Sequence, residues 1–186
     1  MSTFDNYGSI VSEKSIDVAI VLKDQLNKCI KSAGETPLDK ISEQFVFETF
    51  AFMNLSIAMG VWSTNNDTSL RRNLLTSTKT LFIMQLSSII SNSKTPEDMA
   101  AISVNIDFDK LQPYVIYVKQ KMNEYNSGGV PLNANVDLLI ALEWIQAKMN
   151  WSDDFMERFI PQFIPKTIIL EEVESVAASV IEEASK

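Results

Sequence analysis

The sequence predicts an all-α protein, a single-domain bundle of six to seven helices around a largely buried central helix at about 37–62. Three observations predict it. Apolar residues recur at helical spacing over 16–30 and 41–62. Cap chemistry recurs between the periodic stretches, as in Thr36-Pro37-Leu38-Asp39 and Thr95-Pro96-Glu97-Asp98. A chain of 186 residues with 46% apolar and 22% charged residues has the size and composition of one ordinary domain spanning 1–186.

The first helix is expected over 12–33. Ile16, Ala19, Leu22, Leu26, Cys29 and Ile30 form its apolar face, and Gly34 stops it. The second begins with Thr36 as cap and Pro37 in its first turn, and from Phe45 to Trp62 it is apolar on every side. Such a helix belongs in the middle of a bundle. The third, over 68–91, is capped by Asp67, and its Thr/Ser-rich segment 76–80 marks an expected bend or frayed point.

A short helix at 96–103 follows. Val104, Ile106 and Phe108 then alternate with Asn105, Asp107 and Asp109, the mark of an extended segment. A helix over 112–125, a Gly/Pro loop at 126–135 and a helix capped by Asn135 come next, the last with Leu138, Leu142, Ile145 and Met149 as its stripe. A short helix from Ser152 should break at Ile160, ahead of Pro161. The last helix, from 167, has Ile169, Val173, Val176 and Val180 at helical spacing. Residues 166–186 read as an acidic C-terminal helix serving as a docking appendage.

Several functions are disfavoured by what the chain lacks. It has no His, which removes Ser-His triads, Cys-His dyads, HExxH zinc sites and Glu-x-x-His di-iron sites together. Cys29 is the single cysteine and reads as an inert, partly buried thiol. No catalytic residue, metal or cofactor is implied. Ser91-x-x-Lys94 lacks the companion motifs of its enzyme class, and Asp107-x-Asp109 lacks an adjacent Gly-rich loop or Arg. Glu43, Glu48 and Glu143 lie on apolar helices and read as surface or ion-paired carboxylates. The segment 45–62 carries Glu48 and Asn54 and reads as a buried helix, with no membrane contact and a cytoplasmic location expected. Trp144-Ile145-Gln146 followed by Trp151 and Phe155 resembles a short helical motif of Bcl-2-type proteins without the glycines of that motif, and no role is carried over from it.

The net charge is −8, and its placement is uneven. Residues 1–93 hold nine acids and eight bases, whereas residues 94–186 hold fifteen acids and eight bases. That balance disfavours nucleic acid and favours a partner with a basic surface. The leading expectation is a non-enzymatic protein-interaction module: a regulatory adaptor, an immunity-type inhibitor or an oligomeric structural subunit. Its expected contact residues are Trp151, Phe155, Phe159 and Phe163 as apolar anchors, with Glu171, Glu172 and Glu174 beside them. A carrier of an apolar small molecule, with its pocket between the helices at 37–62, 68–91 and 135–149, is the alternative. A carboxylate-only metal-dependent hydrolase is third.

Overall fold

The structure, a computed structural model, describes residues 3–90, 116, 134–163 and 170–186. Among these residues there are six helices and no strand: α1 (Thr3–Ser32), α2 (Lys40–Ser63), α3 (Thr68–Ile90), α4 (Ala134–Met149), α5 (Asp153–Phe163) and α6 (Leu170–Ala184). The fold is therefore all-α. The expected helices at 96–103 and 112–125, the alternating segment 104–109 and the motifs at 91–94 and 107–109 lie outside the described residues.

Helix α2 is the hub. It touches α1, α3, α4 and α6. From Val46 to Ser63 every residue but Glu48 and Val61 is buried. Its interior hydroxyls return to its own backbone: Thr49 to Phe45 O at 2.8 Å, Ser56 to Phe52 O at 2.7 Å and Ser63 to Met59 O at 2.8 Å. Its buried hydroxyls are thus satisfied locally, whereas buried Asn54 donates across to Ser15 O of α1 at 3.0 Å. By length and composition α2 could cross a membrane, but its apolar surface is covered by its neighbours.

The start of α2 differs from expectation. Its cap is Asp39, not Thr36. Asp39 has extended backbone (φ −74, ψ 174) and its carboxylate accepts the Ser42 N–H at 2.7 Å. Asp39 and Ser42 hold the spacing a cap needs to reach the third helical N–H, and a charged acceptor at the positive helix end is favoured.

Helix α1 begins at Thr3, nine residues before the expected start. The extra turns bury Tyr7, Gly8, Val11 and Ser12 against the bundle. Gly8 faces α3 so closely that a Cβ there would lie 3.0 Å from the Ser77 carbonyl carbon and 3.0 Å from the Thr78 N. The Thr/Ser-rich segment of α3 is accordingly no break. It is the small-residue surface that lets two helix backbones approach, and α3 runs through it without interruption.

Helix α1 ends as expected. Gly34 adopts φ +79, with Glu35 N–H donating to Ile30 O and Gly34 N–H to Lys31 O, the paired bonds of a Schellman cap. Asn150 (φ 53) ends α4 in the same way, with Trp151 N–H donating to Gln146 O at 3.1 Å. Asp67 caps α3 by accepting the Ser69 and Leu70 N–H groups at 2.9 and 3.0 Å. Helix α4 begins one residue ahead of the expected cap, Asn135.

Candidate functional site

The expected aromatic anchors are core. Ser152 caps α5 through the Phe155 N–H at 3.2 Å. The helix then carries Phe155, Phe159 and Phe163 at i, i+4 and i+8 on one face. Successive rings stack with centroids 5.5 and 5.4 Å apart. Trp151 closes one end at 4.9 Å from Phe155, and Phe50 of α2 closes the other at 6.1 Å from Phe163. All three phenylalanines are buried and Trp151 is half-buried. This corrects their reading as exposed anchors. The expected break at Ile160 is also absent, since α5 continues through Pro161 to Phe163. Burial of Phe163 against α2 holds the last turn despite the N–H that Pro161 lacks.

Helix α6 is likewise part of the bundle and not an appendage. It buries Val173, Ala177 and Val180 against α2 and α1. Its opposite face keeps Glu171, Glu172, Glu182 and Glu183 exposed. Glu172 forms an ion pair with Lys14 of α1. Glu174 is half-buried, and its carboxyl is held above the ordinary value by burial first, then by the charges of Asp137 and Glu171. The structure thus gathers acids from α4 and α6 that the sequence separates by 34 residues or more.

The Lys14–Glu172 pair joins this acidic face to the outer surface of α1. There, Ile10 (49% exposed), Ile20 (40%) and Val21 (40%) stand out among Glu13, Asp17 and Asp24. At 100° per residue, positions 10, 13, 14, 17, 20, 21 and 24 fall within an arc of about 120°. Lys14 and Val21 sit on the edge of that arc nearer α6. Lys23 pairs with Asp24 at 3.3 Å. These three apolar residues were not among the expected contacts. Their signal was faint, because each falls outside the inward stripe and looks like an ordinary exception to it.

A concave feature lies where the first turn of α1 meets α3, a cleft of about 570 Å³. Phe4 and Asp5 form one wall. Two parallel ridges of α3 form the other, Arg72–Thr76–Thr80 and Asn73–Ser77–Leu81, each spaced at i+4. The Ser77 hydroxyl donates to Asp5 Oδ1 at 2.9 Å, and the Thr80 hydroxyl donates to Thr76 O at 3.0 Å.

The carboxylates on apolar helices do not converge. Glu43 accepts from Asn27 Nδ2 at 2.9 Å, Glu48 accepts from Gln44 Nε2 at 2.9 Å, and Glu143 is exposed. Among the described residues no three metal-ligating side chains come together. Cys29 is buried, and its thiol donates to Gln162 O at 3.8 Å. The chain matches no known protein family, no curated protein and no solved structure.

Proposed function

We propose that this chain is a non-enzymatic protein-interaction module, and that its working surface is the outer face of α1 joined to the acidic outer face of α6. One observation carries the reading. Three β-branched residues at 40–49% exposure share a 120° arc with three carboxylates, and Lys14 in that arc pairs with Glu172 of α6. Apolar anchors within a mainly acidic field suit a partner that brings a basic surface with an apolar centre. A regulatory adaptor, an inhibitor that covers a basic site and a structural subunit all use such a face. The reading includes a cytoplasmic location. A second copy of the chain is the poorer occupant, since a self-complementary contact there would set acids against acids.

The carrier alternative has less support. The space around α2 is taken by protein rings, with Phe52 and Phe82 at 5.3 Å and Phe50 and Phe163 at 6.1 Å. The hydrolase alternative would need carboxylates that converge, and Glu43, Glu48 and Glu143 are engaged or exposed separately.

Site-specific photo-crosslinking in the native host tests the proposal. A crosslinking side chain at Ile20 is expected to give one discrete adduct that weakens with salt. The adduct should vanish when Asp17 and Glu171 are changed to Lys. The same side chain at exposed Lys79 of α3 should not give it. Equal adducts from both positions, or an adduct indifferent to the charge reversals, would overturn the proposal.

A further inference from the structure

The exposed side chains of α1 follow a fixed order. Ile10, Glu13, Asp17, Ile20 and Asp24 are all exposed and recur at spacings of three, four, three and four. Their mean period of about 3.5 residues is the spacing at which one helix meets another lengthwise. The row runs about 21 Å along α1, at about 1.5 Å per residue. Val21 stands beside Ile20 on the side nearer α6. In order, the row reads apolar, acid, acid, apolar, acid. The two central acids keep their charge: Glu13 accepts a neutral hydroxyl, that of Ser9 at 2.8 Å, and Asp17 has no partner among the described residues. Asp24 is met by Lys23 at 3.3 Å. A strand is a poor occupant, because the backbone N–H and C=O groups of α1 are spent within the helix and offer no edge to pair with. A second α1 packed antiparallel about Asp17 is poor as well. It would set Asp17 on Asp17, Ile10 on Asp24 and Ile20 on Lys14.

We infer that this row docks a basic amphipathic helix of the partner, one with apolar residues at i and i+10 and Lys or Arg at i+3, i+7 and i+14, or the same order reversed. The inference rests on reading the α1 face as an interaction surface, and it adds what the partner presents there. The partner's apolar side chains cover Ile10 and the Ile20–Val21 pair, and its bases meet Glu13, Asp17 and Asp24. The order of the row fixes the register. A slip of one heptad would put an apolar side chain on Asp17 and a base on Ile20.

Fluorescence anisotropy with labelled synthetic peptides and the full-length chain tests the inference. Two Ala/Gln-based helices of about 18 residues carry Leu and Lys in the forward and the reversed order. An isomer of each spreads the same residues around the helix. One of the ordered peptides is expected to bind at least about tenfold more tightly than its isomer. Asp17→Lys, a change at an exposed position, should keep the parent circular dichroism and melting curve and lose that preference. Replacing the i+7 Lys of the peptide by Glu should restore binding to Asp17→Lys and abolish it for the parent. Ile20→Ser should weaken the ordered peptide and leave its isomer unchanged. The inference is overturned if neither order binds more tightly than its isomer, or if the charge exchange at Asp17 brings no rescue. A discrete, salt-sensitive adduct at Ile20 beside either of those results would remove the helix and keep the interaction surface. Rescue by the exchange without any adduct in the host would do the reverse.

Discussion

Trp62 donates its indole N–H to the carbonyl oxygen of Ala177 at 3.0 Å, a buried contact between residues 115 positions apart. It pins α6 onto the end of the hub helix. Trp62 is among the largest fully buried side chains, so its polar edge needs a partner, and the backbone of α6 supplies it. Trp62→Phe is expected to cost about 1–3 kcal/mol, combining the lost bond with the space left by the smaller ring. Urea denaturation would measure it. Deleting residues 166–186 should do far more, because it strips Val173, Ala177 and Val180 from α2 and leaves Trp62 in water. Loss of a cooperative thermal transition by circular dichroism is the expected result. A truncated chain that melts like the parent would show that α6 contributes nothing to the core.

Glu174 makes stability depend on pH in the unusual direction for a carboxylate. Burial, then Asp137 and Glu171, raise its folded pKa above the ordinary 4.5. Between 4.5 and that higher value the folded chain binds more protons than the unfolded one, so stability falls as pH rises through this window. Above it the full penalty applies. Glu174→Gln should therefore raise Tm at pH 7, and the gain should disappear below about pH 4, where the parent carboxyl is protonated in both states. Melting curves at the two pH values test this. Solvent screening keeps the effect small, up to about 3 °C.

Asp39 behaves oppositely. Its carboxyl lies below the ordinary 3.8, chiefly through the Ser42 backbone N–H and then the Ser42 hydroxyl. The stability it contributes is present above 3.8 and is lost as pH falls through the lower folded value. Asp39→Ala should lower Tm at pH 7, and the difference from the parent should shrink as pH falls below 3.8. Asp39→Asn should keep most of the cap at both.

Two glycines test two different constraints. Gly8→Val puts atoms where the α3 backbone already stands 3.0 Å away, and overpacking of this kind should cost about 1–3 kcal/mol. Gly34→Ala meets nothing within 4 Å but forces an L side chain to φ +79, which should cost about 1–2 kcal/mol. A second substitution, Ser77→Ala, should leave the Gly34 cost unchanged.

Much of the fold was legible because it follows from local chemistry. The repeat of Leu22, Leu26 and Cys29, the stop at Gly34 and the cap at Asp67 each depend on residues within one or two helical turns. The all-round apolarity of 45–62 likewise has one low-energy outcome in water, which is burial in the middle of a bundle. The N-terminal turns of α1 were less legible. Asn6, Tyr7, Gly8 and Ser9 are weak helix formers, and their helix is held by α3, which lies more than 60 residues away. Asp39, not Thr36, became the cap because helical backbone starts only at Lys40, where the Asp39 carboxylate reaches the Ser42 N–H.

The candidate sites were mostly illegible for a physical reason. Phe155, Phe159 and Phe163 carry the same letters whether they face a partner or the core, and only the docking of α5 on the bundle, through α1 and through Phe50 of α2, buries them. Ile10, Ile20 and Val21 gain their meaning from what fails to cover them. The raised carboxyl of Glu174 depends on Asp137 arriving from another helix. The sequence by itself determined helix content, the buried hub, the stop of α1 at Gly34 and the cap of α3 at Asp67, since periodicity and capping act over a few residues. Tertiary structure alone decided which apolar side chains remained outside and which charges met, because exposure and electrostatics depend on neighbours brought from distant parts of the chain.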